Sequence, residues 1–228
     1  MIVSIHQPNF IPWLGFFDKV DRSDIFILLD NVQFEKNDWQ NRNRIKGPNG
    51  PQWLTVPVKH RFPQTIEEVS IDNQTNWRRK HWNAIVSNYR KAPFFDQYSP
   101  LFEAVYQQEW SRLVDLNMHF LKQMFDIIGL TTSIRLASEF QTDETSSSRL
   151  TSLCKVVGGD IYLAGAGGHN YLDPMPFESS RIRIEYQEYR HPEYPQLFGP
   201  FVAHVSVLDL IMNCGEQSLN TSRGKIGT

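Results

Sequence analysis

The first thirty residues constrain the fold more than any other part of the chain. A short apolar run at residues 2–5 and a second within residues 24–30 are each followed by polar side chains. Apolar runs of this length are typical of strands buried on both faces of a parallel sheet. Two parallel strands joined by a helix end at the same edge of their sheet. We therefore expect His6, after the first run, to lie next to Asp30, at the end of the second.

The turn after the first strand carries Pro8 and Pro12. Proline fixes its own φ and biases the preceding residue towards extended geometry. We therefore predict a rigid turn in which Gln7 and Ile11 are extended. The same turn carries His, Gln, Asn and Trp side chains, which apolar packing alone does not require, and this favours a functional site over a purely structural connection.

The rest of the pattern predicts an α/β protein with a Rossmann-like, mostly parallel sheet flanked by helices. Further core strands are predicted at residues 132–136 and 160–164, and an edge strand at 181–186. Residues 31–130, between the second and third core strands, read as an insertion made of an antiparallel hairpin and helices. We expect one domain over 1–228. Helices are predicted at residues 14–22, 77–91, 101–110, 113–128, 150–157 and 205–213, an edge strand at 66–71, and a mobile or ligand-ordered tail from 217.

The predicted hairpin is basic and aromatic. A Gly-Pro-Asn-Gly-Pro turn at residues 47–51 separates its two arms. As a set, its positive groups suit a diphosphate held above the strand ends, although for each residue alone a solvated charged face is the favoured interpretation. The basic residues are Lys36, Arg42, Arg44, Lys59 and Arg61, interleaved with Trp39 and Trp53.

Composition narrows the functional class. The chain has 228 residues, 40% of them hydrophobic, and a net charge of −2, which together predict a sizeable core and argue against a dedicated nucleic-acid binder. The two cysteines, Cys154 and Cys214, cannot build a disulfide framework, and the histidines lack metal-ligand spacing. We predict no metal and no cofactor. No apolar run approaches the roughly 18 residues of a membrane span, and no secretion signal opens the chain, so we expect a cytoplasmic protein.

Three residues are predicted to be catalytic. The unperturbed pKa of a histidine lies near neutrality, so His6 is a candidate acid or base, or a group that contacts a phosphate. Asp30 is positioned either to bind a sugar hydroxyl, to orient His6, or to cap the strand end. His169 follows a glycine-rich loop at residues 165–168, where backbone N–H groups of Gly167 and Gly168 are expected to stabilise an oxyanion. Cys154 is expected in the core, with a covalent role as a minor alternative.

A wider set of side chains and backbone groups is predicted to bind the substrate. Its members follow the strand ends or lie on the hairpin. They are Gln7, Asn9, Trp13, Lys19, Gln33, Lys36, Arg42, Arg44, Lys59, Gly167, Gly168 and Tyr171.

Several stretches together resemble the WbqC-like family, over nearly the whole chain. They include His6–Phe10, Pro12–Lys19, Leu29–Phe34, Asn41–Ile45, Trp53–Val58, Tyr162–Gly165 and Ser206–Gly215. Members of that family occur with genes for bacterial surface polysaccharides, including O-antigen, and glycine or aminoacyl transfer to an amino sugar is suggested for it. The resemblance implies a transferase that attaches an acyl or aminoacyl group, such as glycyl, to the amine of a nucleotide-activated amino sugar. The acyl donor is left unspecified.

Two alternatives stay open from the sequence. The Gln7-Pro8 opening is similar to that of HIGH-type nucleotidyltransferases, although Pro12–Phe16 stands where their second histidine would be. The other alternative is a non-catalytic protein of the same pathway that binds nucleotide-sugars.

Overall fold

Residues 1–223 are described by a computed structural model, and they group into two compact units. Unit 1 comprises Met1–Gln7, Phe16–Val32 and Thr131–Arg190. Unit 2 comprises Pro8–Gly15, Gln33–Leu130 and the chain from His191 onward. The chain therefore passes between the units five times. The predicted organisation as one domain with an insertion stays a prediction.

The strands and helices follow the predicted order closely. The strands are β1 (Ile2–His6), β2 (Ile25–Leu28), β3 (Arg42–Gly47), β4 (Gly50–Thr55), β5 (Val58–Lys59), β6 (Ser70–Ile71), β7 (Ser133–Leu136), β8 (Ile161–Ala164) and β9 (Arg183–Tyr186). The helices are α1 (Leu14–Asp21), α2 (Trp77–Tyr89), α3 (Phe95–Gln107), α4 (Leu113–Ile128), α5 (Ser146–Val156), α6 (Met175–Ser179), α7 (Val207–Cys214) and α8 (Ser218–Ser222). Short 3-10 helices lie at Ile66–Glu68, Ala137–Glu139, Ala166–Asn170 and Gly215–Gln217.

Unit 1 is built on a five-stranded sheet in the order β7-β2-β1-β8-β9. Every neighbouring pair in it is parallel. If these five strands are renumbered 1 to 5 along the chain, their order across the sheet is 3-2-1-4-5, as in Rossmann folds. This order confirms the predicted α/β class. All strands end at one edge, and the order reverses between β1 and β8. Such a reversal opens a crevice at the carboxyl ends of the strands.

Helices cover both faces of this sheet because alternate strand residues point to opposite faces. Val3 and Ile5 belong to a buried apolar cluster that also contains Leu153 of α5 and Phe177 of α6. On the other face, the ring of Phe26 in β2 lies 5.0 Å from that of Phe16 in α1. The apolar runs of β1 and β2 are thus buried on both sides, as their composition predicted.

In unit 2 the predicted hairpin is present as β3 and β4. Its turn closes between Gly47 and Gly50, where Gly50 has a φ of 99° that glycine adopts without strain. Residues alternate along β3, so Asn43 and Ile45 are buried while the two arginines between and beside them point to the other face.

Four predicted boundaries are wrong. Helix α5 begins at Ser146, four residues before its predicted start at residue 150. Helix α3 begins at Phe95, so Pro100 lies inside it rather than before it. Residues 66–71 form a strand only at Ser70–Ile71, because the Glu68 carboxylate accepts a hydrogen bond from Thr65 N and closes a 3-10 turn. The predicted tail is helical at Ser218–Ser222, and its residues 224–228 lie outside the described part of the chain.

The turn at residues 8–12 also departs from the prediction. Ile11 is not extended but has a φ of 36°, which is unusual for a β-branched residue. The side-chain amide of Asn43 donates to Phe10 O at 3.3 Å and to Ile11 O at 2.9 Å. The side chains of Phe10 and Ile11 are fully buried. Burial and these hydrogen bonds together hold a backbone conformation that the chain would not adopt locally.

Among the described residues, no helix combines the length and the apolar character that crossing a membrane requires.

Candidate functional site

A cavity of about 450 Å³ in unit 1 opens at the carboxyl ends of β1 and β8, where the strand order reverses. The remaining walls come from α1, the end of β2, α5 and the loop after β8. Six of the predicted site residues line it: His6, Gln7, Lys19, Gly167, Gly168 and Tyr171. The sequence analysis did not single out Leu150 and Tyr162, which also line the cavity, because an apolar residue on a helix or strand carries no local signal of facing a cavity.

His6 is the last residue of β1 and presents one free ring nitrogen. Its Nδ1 lies 2.9 Å from Gln7 O, and because a carbonyl oxygen only accepts, Nδ1 carries the proton. The other nitrogen, Nε2, therefore holds a lone pair. The pKa of His6 is lowered to about 4. Burial is the larger cause and the positive charge of Lys19 the smaller one, while the hydrogen bond to the Gln7 carbonyl partly raises the pKa again. The imidazole is neutral at pH 7.

Lys19 reaches the same cavity from α1. It lies three residues after Phe16, so both side chains are on the side of the helix that faces the sheet. Its side chain is 3% exposed, and Nζ donates to Ile5 O at 3.1 Å. No carboxylate within residues 1–223 lies within 4 Å of Nζ. Burial lowers the pKa of Lys19 to about 7, and a buried ammonium group without an acidic partner suits an anionic group of a ligand.

The glycine loop after β8 forms the 3-10 helix Ala166–Asn170. Gly168 N donates to Gly165 O at 2.8 Å, so this N–H is not available to stabilise an oxyanion. The first N–H groups of a helix have no acceptor inside it, which leaves Gly167 N available. A side chain at Gly167 would meet open space, whereas one at Gly168 would press against Leu172 at 3.0 Å. Gly167 is therefore the loop residue that faces the cavity with a free donor.

The strands β1 and β2 pair in parallel with His6 opposite Leu28, so Asp30 lies two residues beyond the register partner of His6. The Asp30 carboxylate is 2% exposed and accepts hydrogen bonds from Ser138 N at 2.9 Å and Ser138 Oγ at 2.5 Å. These bonds cap the 3-10 helix Ala137–Glu139. Asp30 does not line the cavity, and its catalytic role stays a prediction.

His169 is exposed, and its ring stacks on Tyr186 with ring centroids 3.4 Å apart. It does not line the cavity, and its role in proton transfer also stays a prediction.

Cys154 is fully buried in α5, and burial raises the pKa of its thiol to about 12. A covalent nucleophile needs the opposite shift. The core position predicted for Cys154 is therefore the one found.

The remaining predicted substrate-binding residues lie in unit 2. Trp13 packs against His191 and His204, at centroid distances of 6.3 and 5.0 Å. Lys59 forms an ion pair with Asp72 at 3.7 Å. Asn9 is buried and Lys36 is exposed. The side-chain amide of Gln33 donates a hydrogen bond to Phe34 O. Arg42 and Arg44 line a second cavity, described below. Substrate binding by these residues stays a prediction.

A second cavity, of about 330 Å³, lies on the hairpin of unit 2. The Arg42 guanidinium stacks on the Trp53 ring at 4.2 Å, and the Arg44 guanidinium lies 5.6 Å from the Trp53 ring and 6.0 Å from the Trp39 ring. The two indole rings are 5.6 Å apart. The cavity is lined by these four residues together with Asn37 and Asp38.

Unit 1 thus has the architecture of an α/β protein with Rossmann strand order and a cavity at the switch point of its sheet. The chain belongs to the WbqC-like protein family, whose model matches residues 7–221. It is 36% identical over 220 residues to "Uncharacterized protein Rv1507c" of Mycobacterium tuberculosis, with 95% of each chain covered. No solved structure matches the chain. The resemblance seen in the sequence is therefore confirmed at the level of the family.

Proposed function

We propose that this protein is a transferase that attaches an acyl or aminoacyl group to the amine of a nucleotide-activated amino sugar in the synthesis of bacterial surface polysaccharide. The observation that carries the proposal is the neutral His6 ring, whose Nε2 lone pair is available beside the cavity of unit 1. Membership of the WbqC-like family supports the pathway.

In this reaction the sugar amine attacks the carbonyl carbon of an activated ester or thioester. A C–N bond forms, and the ammonium proton passes to His6 Nε2. The bond from the acyl carbon to its oxygen or sulfur leaving atom then breaks, and the leaving group takes the proton back from His6. The low pKa of His6 suits the second transfer, because an imidazolium of low pKa is a ready acid.

Two further groups at the cavity have roles in the same scheme. Gly167 N–H donates to the oxygen of the tetrahedral intermediate, where removal of one such donor typically costs about 10²–10³ in kcat. The Lys19 ammonium binds an anionic group of a substrate, which supplies the acidic partner that it lacks in the protein. Both assignments are supported by the position of these residues in the lining of the cavity.

The proposal is tested by turnover of a UDP-linked amino sugar with an acyl-CoA or aminoacyl ester donor. His6→Ala is expected to lower kcat by about 10²-fold or more, because the amine loses its proton acceptor. His119→Ala, a matched histidine change in α4, should leave kcat unchanged. Because the His6 pKa lies near 4, protonation of His6 should lower wild-type kcat/KM only near pH 4, whereas loss of the Lys19 charge should lower kcat/KM above about pH 7.

Undiminished turnover in His6→Ala would remove His6 from the chemistry. A preliminary thermal-shift comparison of nucleotide-sugars, nucleoside triphosphates and acyl-CoA separates the alternatives. If only nucleoside triphosphates stabilise the protein and pyrophosphate is released, the proposed acyl transfer is wrong and the protein is a nucleotidyltransferase. Stabilisation by nucleotide-sugars with no turnover for any donor would indicate a binding protein.

A further inference from the structure

The hairpin cavity of unit 2 holds two cationic side chains that have no anionic partner. Neither the Arg42 nor the Arg44 guanidinium forms an ion pair or a side-chain hydrogen bond within residues 1–223, and the Nε atom of each is buried without an acceptor. A buried donor without a partner costs free energy, typically about 1–3 kcal/mol. The buried Nε atoms are out of reach of the cavity, but two guanidinium groups without an anionic partner in one cavity point to an anion that a ligand supplies to their terminal nitrogens.

The geometry defines what kind of acceptor suits the cavity. The arginines are two residues apart on β3, so their side chains leave the same face of the hairpin. Trp53 lies directly opposite Arg44 in the antiparallel register. Stacking on an indole ring holds a guanidinium flat, and since Nε is buried, the two terminal Nη groups are the donors left for a two-point contact with a phosphate or carboxylate.

The tryptophans add a second requirement. Trp39 is 37% exposed and Trp53 is 43% exposed, which leaves indole surface uncovered beside the two charges. Exposed aromatic surface at a small cavity suits a flat ring, and stacking of a nucleobase on an aromatic side chain contributes about 1–3 kcal/mol. Asp38 is the one acidic residue among the lining residues, so the lining is net positive.

We infer that the Arg42, Arg44, Trp39 and Trp53 cavity binds a nucleoside phosphate, with the phosphate on the arginines and the base on the indole surface. The choice of a nucleotide over another flat anion rests on the proposed function. The other basic residues predicted for the hairpin do not share this geometry, since Lys59 is paired with Asp72 and Arg61 is exposed and does not line the cavity.

Titration calorimetry with UDP, inorganic phosphate, uridine and glucuronate on the whole protein tests the inference. UDP is expected to bind at least 10-fold more tightly than each of the other three, because only UDP meets both requirements. Arg42→Ala and Arg44→Ala should each weaken UDP binding about 10-fold or more. Arg61→Ala removes the same charge outside the cavity and should change the dissociation constant less than 2-fold. Trp53→Phe should weaken binding and remove most of the change in tryptophan fluorescence.

Several results would overturn the inference. Equal affinity for phosphate and UDP would reduce the cavity to an anion site, and tighter binding of glucuronate would make it a site for acidic sugars. An equal loss in Arg61→Ala and Arg42→Ala would reduce the effect to net charge. Arg42→Lys is the substitute variant if Arg42→Ala is poorly folded. It keeps the positive charge but loses the two-point contact of the guanidinium, so it should bind UDP with an affinity between those of the wild type and Arg42→Ala.

The outcome is separable from that of the proposed function. His6→Ala should bind UDP with the affinity of the wild type. Loss of turnover with unchanged UDP binding therefore tests only the proposed role of His6 in the reaction and not the hairpin cavity. Turnover that persists in a protein without UDP affinity would instead overturn the hairpin site alone.

Discussion

At the scale of single residues, Lys19 shows how burial turns an ordinary side chain into a candidate functional group. The sequence placed it among the substrate-binding residues only by its position after the first turn. Its side chain is buried, and its Nζ donates to the carbonyl of Ile5 but has no carboxylate within 4 Å among residues 1–223. A charged amine in such a place lowers the stability of the fold unless a ligand provides a counter-charge.

Lys19→Met is predicted to raise stability at neutral pH and to change its dependence on pH. Between about pH 7 and 10.5 the unfolded chain holds a proton on Lys19 that the folded protein has lost, so the free energy of unfolding of the wild type rises with pH. The difference in free energy of unfolding between wild type and Lys19→Met should change by on the order of 5 kcal/mol across this interval, which spans about 3.5 pKa units at 1.36 kcal/mol each. Denaturant unfolding at several pH values measures it. Parallel curves for the two proteins would contradict the burial of a charge at this position.

At the scale of elements, the turn between β1 and α1 depends on a strand that lies thirty residues later in the chain. Asn43 of β3 donates to two consecutive carbonyls of that turn and holds Ile11 at positive φ. Proline restricted the turn, but proline alone did not determine its shape. The conformation follows from hydrogen bonds to a buried amide that local sequence cannot reveal.

Asn43→Ala is predicted to lower the free energy of unfolding by about 2–3 kcal/mol, because two buried carbonyls lose their donor. Asn49→Ala, in the exposed turn of the same hairpin, is the control and should cost less than about 0.5 kcal/mol. Chemical denaturation of the three proteins gives the comparison. If Asn43→Ala lowers the free energy of unfolding no more than Asn49→Ala does, the turn at residues 8–12 holds its conformation without the Asn43 amide.

At the scale of the whole molecule, the path of the chain links the two units. The chain passes between them five times, so each unit is assembled from three separate segments of the chain. Unfolding of one unit frees chain ends that the other unit holds. We therefore expect the protein to unfold in one cooperative transition.

The sequence provides a separate probe for each unit. All six tryptophans lie in unit 2, and Cys154 lies buried in unit 1. In a Cys214→Ala protein, tryptophan fluorescence reports unit 2 and labelling of the remaining thiol reports unit 1. The two midpoints in guanidinium chloride should coincide, and Lys19→Met should shift both equally. Separate midpoints would contradict the predicted single cooperative transition.

The sequence by itself determined the features that depend on local pattern. Apolar runs ending in polar residues predicted β1 and β2, and the alternation with helices predicted a parallel α/β sheet. The Gly-Pro-Asn-Gly turn predicted the hairpin. The position of His6 at a strand end placed it correctly at the cavity, because strand ends in such sheets share one edge.

Only the tertiary structure decided which polar groups are free to act. Asp30 also follows a strand, but Ser138, distant in sequence, occupies both of its oxygens. Gly168 belongs to the predicted loop, but its N–H is used within the turn, whereas that of Gly167 is not. The physical reason is the same in both cases: a hydrogen-bonding group is available to a ligand only where the packed chain leaves it without a partner, and that depends on residues that folding brings together.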